Sequence, residues 1–213
     1  MKIKKLNNII TIVIIILLII LGILVFGIIK NLTNDVKKTV VLDTIENYNY
    51  ELTDNDTEYF KETFKELKKS LKEENEEEYA IAVSKLFIID FYSLSSAINK
   101  NDVGGTQFIE SSARENFIKK AKDTIYKNVE NNIYGDRKQE LPTVKEVNIE
   151  TIQKSTKDNL DYYNVLTNVS YEKDMGYPTK LEVTLTYSKL IDSSNNHLEI
   201  IKIEDVTNTT DNN

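Results

Sequence analysis

Residues 9–29, IITIVIIILLIILGILVFGII, carry no charge and only Thr11 as a polar side chain. As a helix rising about 1.5 Å per residue this run spans roughly 30 Å, the thickness of the hydrocarbon layer of a bilayer. It has no polar face to turn toward water, which argues against a helix buried in a soluble core. A secretory signal is the competing reading, but its apolar part usually has about 7–15 residues and ends in a small-x-small cleavage site. Here the exit reads Leu24, Val25, Phe26, Gly27, and the chain has no cysteine to carry a lipid after cleavage. The expectation is an uncleaved transmembrane helix over 9–29 behind a short tail, 1–8.

Lys2, Lys4 and Lys5 precede the apolar run, whereas Lys30, Lys37 and Lys38 come after it. The positive-inside rule and the acidity of the chain beyond the run predict a cytoplasmic amino terminus and an outer carboxy-terminal part. The chain has 27 basic and 34 acidic residues, and four of its lysines lie within residues 1–30, so the remainder carries a net charge of −11. Such a domain repels nucleic-acid phosphates and anionic head groups, which disfavours nucleic acid as a partner. With no cysteine it has no disulfide, and its core alone must hold it. The many Ile, Lys and Asn residues resemble the product of AT-rich bacterial coding. The glycosylation-like triplets at Asn31, Asn55, Asn168 and Asn208 are read as chance in so asparagine-rich a chain.

The outer part divides into a helical half and a strand half. Residues 34–50 have moderate helical character and fall in an expected membrane-proximal stalk, 30–53, ahead of an α+β domain at 54–206 and a disordered tail at 207–213. Asp54 and Asp56 offer N-caps for a helix running to about Lys72, with Tyr59, Phe60, Phe64, Leu67 and Leu71 in one stripe and lysines clustered late. EENEEE, residues 73–78, lacks the alternating ligands and the glycine of a calcium loop. Asn75 with Glu78 instead forms a capping box, and the acids suit the positive end of a helix dipole. That helix is expected over about Glu76–Ile98, with Tyr79, Val83, Leu86, Phe87, Leu94 and Ala97 on one arc.

Asp90 falls in the middle of that apolar arc. An unpaired buried carboxylate either shifts its pKa or destabilises the fold by several kcal/mol. Three resolutions stand open: an ion pair with Arg114 at the start of the next helix, a tyrosine hydrogen bond, or a place at the mouth of a ligand pocket. Between the two helices lies Asp102-Val-Gly-Gly-Thr-Gln, which holds the only adjacent glycines, Gly104 and Gly105. It has neither the lysine of a phosphate loop nor the third glycine and preceding strand of a dinucleotide fingerprint. A chain reversal clipped by Val103 and Phe108 is expected, and the alternative is a loop that rims a pocket. Asp90, Arg114, Gly104, Gly105 and Phe108 are therefore the candidate binding residues. The next helix is expected over about Glu110–Glu130.

After Gly135 the hydrophobic period falls to two. Strands are expected at 144–154, 159–173, 179–190 and 197–206, separated by turn-rich segments, and an antiparallel meander with helices over one face is the simplest arrangement. One anchor, then three to four helices, then a four-stranded antiparallel sheet resembles the nuclear transport factor two-like fold. In particular it looks like the bitopic assembly subunit of type IV secretion and Gram-positive conjugation systems. The resemblance covers residues 1–206 as architecture and implies a cone-like outer domain; it assigns no site residue.

Catalytic apparatus is hard to assemble from this sequence. His197 is the only histidine, cysteine is absent, and no Gly-x-Ser-x-Gly occurs. Zinc held by histidine or cysteine is excluded by count, and no cofactor or metal is expected. Two functions of different class stand open. The first is a membrane-anchored, non-enzymatic scaffold or assembly protein of a bacterial cell envelope, partnering other membrane proteins or itself; the alternative is a tethered small-ligand sensor or binding module. An exposed apolar patch speaks for the first and a deep cavity for the second.

Overall fold

The structure is a computed structural model that describes residues 19–23, 25, 39–188 and 197–208. The chain divides into two units, Met1–Lys38 and Thr39–Asn213. In the first, residues 19–23 and 25 are helical, while most of the 9–29 run and all of the 1–8 tail lie outside the described residues. Among the described residues no helix is long and apolar enough to cross a membrane.

The second unit is α+β. It opens with a hairpin of β1 (Val41–Ile45) and β2 (Tyr50–Thr53), in which Ile45 pairs with Tyr50 across a turn holding Asn49 at φ 55°. The helical expectation for 34–50 is therefore corrected over its described part; of the expected stalk, 30–53, residues 39–53 fall in the second unit and residues 30–38 lie outside the described residues. Val40, Val41, Thr44 and Ile45 are β-branched, and Tyr48, Tyr50 and Leu52 alternate with polar residues, so a strand period prevails over the sparser helical spacing. Tyr50 is fully buried; its hydroxyl lies 2.8 Å from the Tyr79 hydroxyl and donates to the Leu198 carbonyl at 2.9 Å. The hairpin is thus tied into the core.

Helix α1 (Glu58–Lys72) is capped by Thr57, whose hydroxyl accepts from the Phe60 amide at 3.1 Å. The expected caps serve elsewhere: Asp54 accepts from the Val40 amide and Asp56 from the amide and hydroxyl of Thr53. Helix α2 (Glu76–Tyr92) starts at the expected Asn75, which accepts from the Glu78 amide at 3.1 Å. It is buried on nearly every side, from Tyr79 and Ala80 to Phe91 and Tyr92, and forms the axis of the core.

That helix ends at Tyr92 and not at Ile98, because the serines beyond it bond to other partners. Ser93 Oγ accepts from the Val144 amide, and the Ser95 hydroxyl meets that of Thr143 at 2.6 Å. Arg137 then clamps the exit, donating to the carbonyls of Ser95, Ala97 and Glu130 at 2.7, 2.8 and 3.2 Å. Helix α3 (Arg114–Asp123) is likewise shorter than the expected 110–130 and lacks a side-chain cap.

β3 (Val144–Lys157), β4 (Leu160–Tyr171), β5 (Lys180–Tyr187) and β6 (Leu198–Asp205) form one antiparallel sheet in chain order, the expected meander. Tyr163, Val165, Leu181, Val183, Leu185, Leu198 and Ile200 turn its inner face toward α2 and are buried. The segment between α2 and α3 lies along the start of β6, where Ile109 bridges Ile200 and the Glu110 amide donates to the Ile200 carbonyl.

Candidate functional site

Asp90 sits in the last turn of α2, where the chain returns past it in the Gly104–Gly105 reversal. Its Oδ2 accepts from the Gly105 amide at 2.6 Å. Gly105 has φ 72°, a left-handed conformation that strains any residue with a Cβ. A Cβ on Gly105 would lie 2.7 Å from the Phe87 ring, and one on Gly104 would lie 2.4 Å from the Asp90 carbonyl oxygen and 2.6 Å from its Oδ1. Both glycines are thus required by close approach. The Gly104 amide donates to the Tyr126 hydroxyl at 3.1 Å, and that hydroxyl donates to the Phe91 carbonyl at 2.8 Å.

The expected Asp90–Arg114 pair does not form, and this is a correction. Arg114 donates through Nη2 to the Ile109 carbonyl at 3.1 Å, while its Nε is buried with no partner among the described residues. A backbone amide meets the Asp90 carboxylate where a guanidinium was expected, because the glycines let the main chain come closer than any side chain would. Phe108 is also displaced from the candidate set: it is fully buried, with its ring 5.4 Å from that of Tyr50 and 6.5 Å from that of Phe60.

Asp90 and Gly104 line a cavity of about 230 Å³ between the hairpin, the end of α2 and the loop beyond it. Glu51, Asn55, Asp56, Asp102 and Tyr126 contribute to its wall, and no lysine or arginine among the described residues does. Gln107 fastens the loop to the hairpin, accepting from the Glu51 amide at 2.8 Å and donating to the Glu51 carbonyl at 3.2 Å. Asp102 accepts from the Ile98 amide at 2.8 Å, which fixes the turn ahead of the glycines.

Burial raises the Asp90 pKa to about 7, the Gly105 amide opposing it and the negative charges of Asp56 and Asp102 adding to it. Asp56 is raised as well, chiefly by burial and against its bonds from Thr53. Asp90 therefore exchanges a proton near neutrality inside an acidic recess. Sequence reasoning finds Asp90 and the glycines but misses Asp56, Asp102, Asn55 and Tyr126 as wall residues. The position of Asp56 ahead of a helix suggests only a cap, and nothing in the spacing of Tyr126 announces its reach to Gly104.

A second polar cluster joins His197, Glu199 and Ser111. His197 Nε2 lies 3.2 Å from Glu199 Oε1, and the Ser111 hydroxyl donates to the same oxygen at 3.0 Å. Burial raises the Glu199 pKa, yet the bonds from His197, Ser111 and Ser188 and the charge of His197 leave it below the ordinary value. The carboxylate, not the imidazole, stands between the other two groups, which is not the serine–histidine–acid order of a catalytic triad. A third feature is an apolar groove of about 260 Å³ between α3 and β6, lined by Phe91, Phe117, Ile125, Ile201 and Ile203, with Lys120 and Lys202 also in its wall.

Among the described residues no three acidic, histidine or cysteine side chains are grouped to hold a metal ion. No protein family, curated protein or solved structure matches the chain.

Proposed function

We propose that residues 39–208 form the outer, non-enzymatic binding domain of a single-pass membrane protein of a bacterial cell envelope. The observation that carries the binding reading is the Asp90 cavity, a polar recess built around a carboxylate that the fold holds with one backbone bond. The 9–29 run supports the anchor, and the lysines ahead of it support a cytoplasmic amino terminus. Helices ahead of a four-stranded meander support the resemblance to the nuclear transport factor two-like fold and its cone-like domain.

The scaffold reading keeps one observation in its favour, the groove between α3 and β6, where Ile201 is 38% exposed. Lys120 and Lys202 suit it to a partner segment of apolar residues flanked by acids. Native mass spectrometry of the full chain extracted from its own membrane separates the two. A small molecule carried by the wild type and absent from Asp90→Asn is the expected result. A chain that carries none, yet crosslinks to other membrane proteins through Ile201, overturns the binding reading in favour of the scaffold.

A further inference from the structure

The wall of the Asp90 cavity carries four acids, Glu51, Asp56, Asp90 and Asp102, and no lysine or arginine among the described residues, and several of its donors are engaged. The Gly105 amide is taken by Asp90, the Gly104 amide by Tyr126, the Tyr126 hydroxyl by Phe91, the Gln107 amide by Glu51 and the Asn55 amide by Thr39. Asp90 Oδ1 accepts no hydrogen bond among the described residues. Asn55 Oδ1 is shut off from solvent and also lacks a partner there. That atom is out of a ligand's reach, so the acceptor left open to the cavity is Asp90 Oδ1. The hydroxyls of Thr39 and Thr106, also in the lining, can act either way.

We infer that this cavity takes a small organic monocation bearing a primary ammonium group, a donor-only head that matches an open Asp90 Oδ1 in a wall of four acids with no lysine or arginine among the described residues. The inference rests on the binding reading above and names its ligand class. The volume of about 230 Å³ is below the roughly 300–1,000 Å³ of pockets for drug-sized ligands, so the molecule is small. A metal ion is the rival cation, but the acids here do not converge as three or more ligands, which such sites need. Glu51, Asp56, Asp102 and Tyr126 are the titratable groups that share the wall with Asp90, and the three acids favour a cation. An ammonium would pull the raised Asp90 pKa back down, so occupancy and ionisation rise together.

The test titrates the full-length chain in detergent micelles with butylammonium chloride at pH 8, read by calorimetry and by Tm. Binding is expected, with Kd increasing about tenfold or more in Asp90→Asn and when the wild type is moved to pH 6. Circular dichroism checks the fold of each variant, and Asp102→Asn supplies a second comparison if Asp90→Asn does not fold. Equal affinity in wild type and both variants overturns the site. Butyrate or butanol binding as well as butylammonium, with loss in Asp90→Asn, overturns the cation class and leaves the binding reading standing. Tighter binding of calcium chloride through Asp90 overturns the ammonium in favour of a metal. If none of these probes binds and the extracted chain carries no small molecule, the binding reading falls as well.

Discussion

The Gly105 amide donates to Asp90 Oδ2 at 2.6 Å, and this bond joins the end of the central helix to the chain reversal beyond it. Two different requirements act on the adjacent glycines. Gly104 needs space, since a Cβ there would meet the Asp90 backbone at 2.4 Å, whereas Gly105 needs both space and a left-handed φ of 72°. Gly135 has the same φ with nothing within 4 Å, so it isolates the conformational part. Gly135→Ala should destabilise by about 1 kcal/mol. Gly104→Ala and Gly105→Ala should each lose about 2–4 kcal/mol, since backbone and a buried ring cannot move aside cheaply. Denaturant unfolding of the three variants checks this order, and a Gly104→Ala as mild as Gly135→Ala would contradict the close approach.

The raised pKa of Asp90 makes stability depend on pH with a definite sign. The folded state holds the proton up to about 7, while the unfolded chain releases it near 3.8. The contribution of Asp90 is therefore fully present below about pH 4, declines as pH rises, and is lost above about 7. Measured as wild type minus Asp90→Asn, the difference should fall by about 2–4 kcal/mol across that window, allowing for solvent screening at the cavity. The subtraction removes the opposing effect of carboxylates held low by lysines, such as Asp43 beside Lys68. A difference that stays flat between pH 4 and pH 8 would show that Asp90 ionises as an ordinary carboxylate.

The chain's two arginines should differ sharply in their importance. Arg137 donates to three main-chain carbonyls, those of Ser95 and Ala97 at the exit of α2 and that of Glu130, and hydrogen bonds from charged donors are the stronger kind. Arg137→Ala should destabilise by about 2–3 kcal/mol, with Arg137→Lys recovering only part, because an ammonium cannot reproduce the guanidinium fork. Arg114→Ala should lose less than about 1 kcal/mol, since it removes a single bond to the Ile109 carbonyl and strands no carboxylate. Thermal melts of the three variants decide. A large effect of Arg114→Ala that vanishes in an Asp90→Asn background would restore the ion pair that the geometry rejects.

How much of the fold and the site is legible in the sequence depends on the range of the interaction. The meander is readable because Leu181, Val183 and Leu185 repeat at the strand period and bury together. The start of α2 is readable because Asn75 and Glu78 meet within one turn. Its end is not, since Arg137 fixes it from far along the chain. The hairpin escapes notice because Tyr50 gains its burial from Tyr79 and Leu198, neither of them near in sequence. At the site, the oddity of Asp90 is visible as a carboxylate in an apolar arc. Its partner is not, because pairing by side-chain charge ignores what a glycine amide can reach.

The placement of the 9–29 run in a membrane is testable with single introduced thiols, because the chain has no cysteine. Glu115 is exposed in the first turn of α3 and makes no hydrogen bond or ion pair among the described residues, so Glu115→Cys introduces a single thiol at little cost. Lys5→Cys places one ahead of the apolar run. Intact cells treated with a maleimide that cannot cross the bilayer should label the first variant and spare the second, and permeabilised cells should label both. Carbonate washing should leave the protein in the membrane fraction if the run spans it, since a spanning segment does not leave lipid with the removal of peripheral contacts. Labelling of Lys5→Cys but not Glu115→Cys in intact cells would invert the topology and turn the Asp90 cavity toward the cytoplasm. Release of the chain by carbonate would overturn the anchor itself.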